Sequence, residues 1–182
     1  MQHKKIIINK SKFNIIVERL SHQLIENHGD FKETVLIGIQ PRGTHLCNRI
    51  HQNLFSLLSN QNIKVGNLDI TFYRDDFRRR KDPLEPQTMD IDFSIEGKHV
   101  ILIDDVLYTG RSVRAAMDAL MAFGRPKSVE LTVFINRRFS RHLPIQPNYV
   151  GKKVDTIASE KVIVEWEEIS GKDQVILLSS EK

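Results

Sequence analysis

Cysteine is nearly absent from this chain of 182 residues: Cys47 stands alone, so no disulfide can close within it. That fits a reducing cytoplasm. Cys47 falls among residues that read as a helix and is taken as packing rather than chemistry. Long apolar runs are missing too. None approaches the roughly 18 residues needed to cross a bilayer, so no membrane partner is expected. The opening MQHKKIIINK is basic, but its apolar core is three isoleucines and no small-residue cleavage site follows. It therefore does not read as a secretory signal. No internal repeat, low-complexity tract or Pro/Gly/Ser linker divides the chain, which predicts a single domain over 1–182. Nucleophile elbow, HExxH, Walker A and Gly-rich dinucleotide patterns are all absent. The seven histidines are scattered without ligand spacing, against structural zinc.

What remains is an ordinary globular composition, 40% hydrophobic and 27% charged. The formal net charge of +4 suits polyanionic ligands without requiring them. From Ser11 to His28, Phe13, Ile16, Val17, Leu20, Leu24 and Ile25 recur at helical spacing, and Gly29 stops the run. Thr34 to Ile39 is a short β-branched run, read as a strand buried on both faces. After the Pro41-Arg42-Gly43 turn, Leu46, Ile50, Leu54, Leu57 and Leu58 mark a second helix. Val65 to Tyr73 reads as another strand. The polar stretch from Arg74 to Gly97, with Arg78-Arg79-Arg80-Lys81, is long enough to be a functional lid; a solvated excursion or a β-arm used in assembly is the plainer reading. His99 to Ile103 is the clearest buried strand, ended by Asp104-Asp105. Gly110 opens a helix with Val113, Met117, Leu120 and Met121 on one face, closed by Gly124 and Pro126. Ser128 to Ile135 is the next strand, with shorter runs at Val162–Val164 and Val175–Leu178. Apolar strands alternating with helices predict an α/β fold with a mostly parallel sheet and its ligand at the strands' carboxyl ends.

The segment from Val100 to Ser112 carries chemistry. A buried strand delivers Asp104 and Asp105 to the ligand edge, where two acids can bind vicinal hydroxyls or hold Mg²⁺. Tyr108, Thr109, Gly110, Arg111 and Ser112 then turn into a helix. Gly110 permits a tight bend, and the unpaired amides with two hydroxyls form an anion cradle. Acids for a diol beside a cradle for phosphate describe a ribose 5-phosphate site. Singly, an Asp pair is often a strand end and Thr-Gly a turn; their combination after a buried strand is more specific.

This segment resembles the 5-phosphoribosyl 1-pyrophosphate (PRPP) signature of type I phosphoribosyltransferases. Its VLYTGRS ending is similar to the pyrimidine operon regulator/uracil phosphoribosyltransferase family, PyrR. Ile70 to Asp76, Met117 to Leu120 with Gly124 to Pro126, Leu143 to Ile145, Tyr149 to Lys152 and Ser159 to Val162 resemble that family in the same order. The resemblance implies the type I phosphoribosyltransferase fold, with a mostly parallel central sheet flanked by helices, a flexible loop or β-arm (74–97), and a small hood drawn partly from 136–182. It implies formation of UMP and pyrophosphate from uracil and PRPP with Mg²⁺ as cofactor. Asp104 and Asp105 would meet the ribose hydroxyls, with Mg²⁺ nearby, and the PRPP/UMP site would continue through Val106 and Leu107 into Tyr108–Ser112. Arg42, next to Gly43, would hold the pyrophosphate, and Tyr73 and Arg74 would approach the leaving group. The base would lie near Arg137, Arg138, Lys161 and Val162. The family more often has Thr or Ser at Pro41, and a common Asp is Asn136 here.

The same resemblance implies a UMP-responsive protein that binds a leader-RNA hairpin and attenuates transcription. Arg19, His22, Arg141, Lys152 and Lys153 are the candidate contacts, while Glu18, Asn27 and Gln146 depart from the neutral or basic residues expected there. It also implies a homodimer or higher oligomer. Two alternatives stay open: a non-catalytic nucleotide-sensing regulator, and a relative acting on hypoxanthine or guanine.

Overall fold

The computed structural model describes residues 2–59, 62–75 and 89–180. The chain runs β1 (Gln2–Ile8), α1 (Lys10–His28), β2 (Thr34–Ile39), α2 (Gly43–Leu58), β3 (Lys64–Leu68), a 3-10 turn (Thr71–Tyr73), β4 (His99–Leu107), α3 (Arg111–Leu120), a second 3-10 turn (Met121–Phe123), β5 (Ser128–Arg138), β6 (Tyr149–Asp155), β7 (Lys161–Glu165), the short α4 (Glu167–Ser170) and β8 (Gln174–Ser180). A five-stranded sheet takes the order β3-β2-β4-β5-β6, and a three-stranded sheet the order β1-β8-β7. Every pairing in the large sheet is parallel. The small sheet is antiparallel and forms the hood. Residues 136–182 thus supply β6 to the large sheet and β7 and β8 to the hood, which also recruits the amino terminus.

The period-two alternation of a strand divides the large sheet's side chains between two cores. Leu36, Ile101 and Ile103 join the cluster with Phe13, Leu20 and Leu24 of α1 and Leu46 and Ile50 of α2. Val35, Ile37, Val100 and Leu102 join Val113, Ala116 and Leu120 of α3 on the other face. Each fully buried Val, Leu, Ile or Phe side chain contributes about 1.5–3 kcal/mol. All six residues of β2 are buried, as a strand covered on both faces requires. Asn9 caps α1, its side chain accepting from Lys12 N at 3.1 Å, and Gly29 ends the helix with φ 56° and its N–H on Ile25 O.

Several sequence expectations need correction. The strand expected over Val65–Tyr73 stops at Leu68, because the Asp69 carboxylate accepts from Thr71 N (2.8 Å) and Thr71 Oγ1 (2.6 Å) and turns the chain. Asp104-Asp105 do not end their strand: β4 continues paired to β5 as far as Leu107 opposite Asn136. Leu57 is 47% exposed, since the i, i+4 row through Leu46, Ile50 and Leu54 continues to Leu58 and leaves its neighbour off the face. On α3 the buried face is Val113, Ala115, Ala116, Ala119 and Leu120, with Met117 and Met121 half exposed. Alanines let that helix lie close to the sheet. Strands β1 and β6 were not expected. Of the expected lid, 76–88, with the basic run, lie outside the described residues; at its described end Asp90 bridges antiparallel to Asn67 and Ile95 is fully buried. Among the described residues no helix is long and apolar enough to cross a membrane.

Candidate active site

Strand β2 leads through α2 to β3 on one side, whereas β4 leads through α3 to β5 on the other. The sheet's connections therefore diverge between β2 and β4, and in an open α/β sheet the ligand crevice belongs at the carboxyl ends of such a pair. Two segments meet there: the turn before α2 and the stretch beyond Ile103. The Gln40–Pro41 bond is cis, and Arg42 sits exposed at the start of α2. Gly43 presses on β4 so closely that a Cβ would lie 2.4 Å from Ile103 O and 3.1 Å from Asp104 Cα. Only glycine allows that approach.

Because β4 continues through them, Asp104 and Asp105 point to opposite faces. Asp104 is turned toward Arg74, and Asp105 toward Arg42 and Trp166. Their shared backbone ties them, Asp105 N donating to Asp104 Oδ1 at 2.9 Å. Both are more than nine-tenths buried. Burial and the neighbouring Asp105 push Asp104 well above the usual carboxylate range, with Arg74 pulling it back. Burial also raises Asp105, against the pull of Arg42. The Asp105 Oδ2 atom is buried without a hydrogen bond among the described residues. Adjacent carboxylates, one with an unsatisfied oxygen, are a donor set that fits Mg²⁺ completed by substrate oxygens and water. Among the described residues no group of three or more His, Cys, Asp and Glu side chains could enclose a metal.

The anion loop is held from outside. Gly110 takes φ 93° at the start of α3, and Thr109 Oγ1 accepts from Arg111 N at 3.4 Å. Arg74 Nη1 donates to Ser112 Oγ at 3.3 Å, so this arginine spans Asp104 and the loop. Arg111 pairs with Asp75, and Arg114 donates to Tyr73 O at 3.0 Å. From the other side, Arg141 donates to Tyr108 O and, at 2.6 Å, to Asn136 Oδ1. The amides of His142 and Leu143 donate to Thr109 O at 3.0 and 3.3 Å. The loop is thus largely shaped before any ligand arrives.

Two of the expected base contacts are engaged within the protein. Arg137 is 5% exposed; it donates to Thr156 Oγ1 (2.9 Å), Glu160 O (2.9 Å) and Ile157 O (3.3 Å) and lies 3.9 Å over the Tyr108 ring. Its fork ties down the turn between β6 and β7. Arg138 pairs with Asp155 at the surface, Lys161 is exposed and Val162 is buried. Of the expected RNA contacts, Arg19 is drawn onto the carbonyls of Gly151 (2.5 Å) and Val150 (3.3 Å). His22, Lys152 and Lys153 are exposed, as are Glu18, Asn27 and Gln146. A groove of about 780 Å³ beside the anion loop runs between Gln23, Arg138, Arg141, Gln146 and Lys153. Sequence reading missed two positions: Trp166, whose only signal is being the one tryptophan, and the bracing role of Arg141.

Comparison with known proteins gives the family. Residues 4–168 match the phosphoribosyl transferase domain. The chain is 42% identical over 174 residues to the bifunctional protein PyrR of Enterococcus faecalis, covering 96% of each. It is 39% identical to that of Bacillus subtilis over the full length of both. A hypoxanthine phosphoribosyltransferase of Trypanosoma cruzi superposes with a TM-score of 0.72 at 16% identity, covering 97% of each chain. One from Staphylococcus aureus gives 0.67 at 21%, covering 94% of this chain and 90% of that one; these two show the fold alone. With its switch-point crevice, paired acids and glycine-opened anion loop, the chain belongs to the phosphoribosyl transferase family and, within it, to the bifunctional PyrR proteins.

Proposed function

We propose that this protein is a uracil phosphoribosyltransferase, joining uracil N1 to C1′ of PRPP as pyrophosphate departs. The observation that carries the reading is the continuous path from the two buried acids of β4 into the Gly110 loop at the switch point. Asp104 and Asp105 hold the ribose hydroxyls, and the backbone amides from Tyr108 to Ser112 receive the 5-phosphate. Arg42, at the opposite rim, meets the pyrophosphate, and Arg74 orders the loop through Ser112. Asp104 and Asp105 would hold Mg²⁺, whose charge would help to neutralise the leaving pyrophosphate. The transition state has oxocarbenium character, and alignment of base and sugar is worth more than any nucleophilic side chain.

A second activity rests on the PyrR relatives and on the exposed His22 and Lys152, with Lys153 lining the groove: UMP-responsive binding of a leader-RNA hairpin. Arg19 and Arg141 serve it by shaping the face, since their guanidinium groups are already engaged. Filter binding of such a hairpin with and without UMP tests this; no UMP-dependent, salt-sensitive retention would contradict it. We also place the protein in a reducing cytoplasm, as a homodimer or higher oligomer.

The test of the catalytic reading is base choice. Purified protein with PRPP, Mg²⁺ and labelled uracil, hypoxanthine or guanine should convert uracil alone. Conversion of a purine would move the assignment to the purine enzymes. No conversion with retained UMP binding would leave a nucleotide-sensing regulator.

A further inference from the structure

Trp166 is 1% exposed and stands where β7 passes into α4. Its orientation is fixed from several sides. The ring meets Phe13 edge-on (5.1 Å, 88°) and lies 5.9 Å from Phe134. It stacks on His45, in the first turn of α2, at 5.8 Å, with the Arg49 guanidinium 5.2 Å from its centre. Arg49 is itself tethered to Glu168 and Asp173, so the hood is anchored to α2 around this ring.

Held in this way, the indole N–H faces the Asp105 carboxylate. Yet Trp166 Nε1 and Asp105 Oδ2 are both buried, and neither makes a hydrogen bond within the described residues. Leaving a buried donor and a buried acceptor unmade is costly, and few folded proteins keep such pairs without a use for them. Apolar packing does not call for the N–H, since a phenyl ring would serve Phe13, Phe134 and His45. We propose that Trp166 is a positioning residue of the ribose site: when a ribose hydroxyl engages Asp105, the carboxylate closes onto the indole N–H, locking the hood to the sugar-binding acid. This rests on the ribose-site reading above. Arg42 draws the same carboxylate from the α2 side, so the indole and Arg42 together set where it comes to rest.

One tryptophan gives one indole N–H signal in ¹⁵N-labelled protein, which makes the test direct. UMP is titrated in, with calorimetry on the same sample to establish binding. The indole signal should shift on saturation and its exchange with solvent should slow. If UMP binds and the signal stays in place, the inference fails while the ribose-site reading stands. If UMP does not bind, that reading fails and the inference with it. Trp166→Phe keeps an aromatic ring and removes the donor. It should raise the UMP Kd and the KM for PRPP about tenfold, the effect of one hydrogen bond to a charged group, while largely keeping kcat. Unchanged KM in folded variant protein would overturn the proposal; should the variant not fold, the indole signal of the parent protein decides alone.

Discussion

A methyl group at Gly43 would lie 2.4 Å from the Ile103 carbonyl oxygen, against backbone that cannot rotate away as a side chain could. We therefore expect Gly43→Ala to cost about 1–3 kcal/mol in urea unfolding, as overpacking does, and to raise the KM for PRPP by moving Arg42. Wild-type stability and KM would contradict the close approach. Residue identity was largely legible at this crevice, because Asp-Asp after a buried run and Gly opening a helix are local patterns. The direction of each side chain was not. That Asp104 and Asp105 face apart depends on β4 continuing through them, and that Arg137 is spent on Thr156 and Glu160 depends on a turn about twenty residues away in sequence. Trp166 illustrates the same gap, since nothing near it in sequence reveals its contact with Asp105.

Elements were most legible where both faces of a strand are buried. Thr34–Ile39 stands as expected because a short apolar run rich in β-branched residues has few alternatives. The edge strands were not. In β1 most residues before Ile8 are exposed, and β6 carries Gly151, Lys152 and Lys153, so neither shows an apolar run. The hood that β1 joins is secured by an ion-pair cluster: Arg49 Nη2 reaches Asp173 Oδ1 at 2.7 Å, and Glu167 N donates to the same oxygen at 2.9 Å. Burial opposes ionisation of Asp173, but the Arg49 hydrogen bond, the Glu167 amide and the charges of Arg49 and Lys10 together outweigh it and hold the carboxyl below its ordinary value of 3.8. A lowered native pKa gives stability that is present above the unfolded value and lost as pH falls through the native one. Asp173→Asn should thus cost about 1.5–3 kcal/mol near neutrality, by removing one of the two carboxylates that hold Arg49, with the deficit shrinking below pH 3.8. Urea titrations at neutral and acid pH check this; a deficit independent of pH would contradict it.

Across the whole molecule, chemistry and support lie at opposite ends of one sheet. At the amino ends of the strands, Tyr149 OH donates to Glu130 Oε2 at 2.7 Å, and His28 Nε2 lies 3.2 Å from each of those two groups. Thr34 Oγ1 meets His28 Nδ1 at 3.2 Å, and His99 pairs with Ser128 at 2.7 Å. This cluster joins α1 to four strands far from the crevice. Tyr149→Phe should lower stability by about 1 kcal/mol and leave kcat for UMP formation unchanged; a fall in kcat would show that the two ends are coupled. The parallel sheet and the place of its crevice could be read from alternating elements alone, whereas of the hood only the short runs of β7 and β8 showed locally, and their pairing with residues 2–8 did not. The central claim is that the switch-point acids bind the sugar that reacts. It is tested most directly by UMP formation from labelled uracil and PRPP in the wild type beside Asp104→Asn/Asp105→Asn. The account predicts a folded double variant, melting no lower than wild type since two costly buried carboxylates are gone, with turnover lost. A double variant that still makes UMP at a rate close to the wild type would place the chemistry elsewhere.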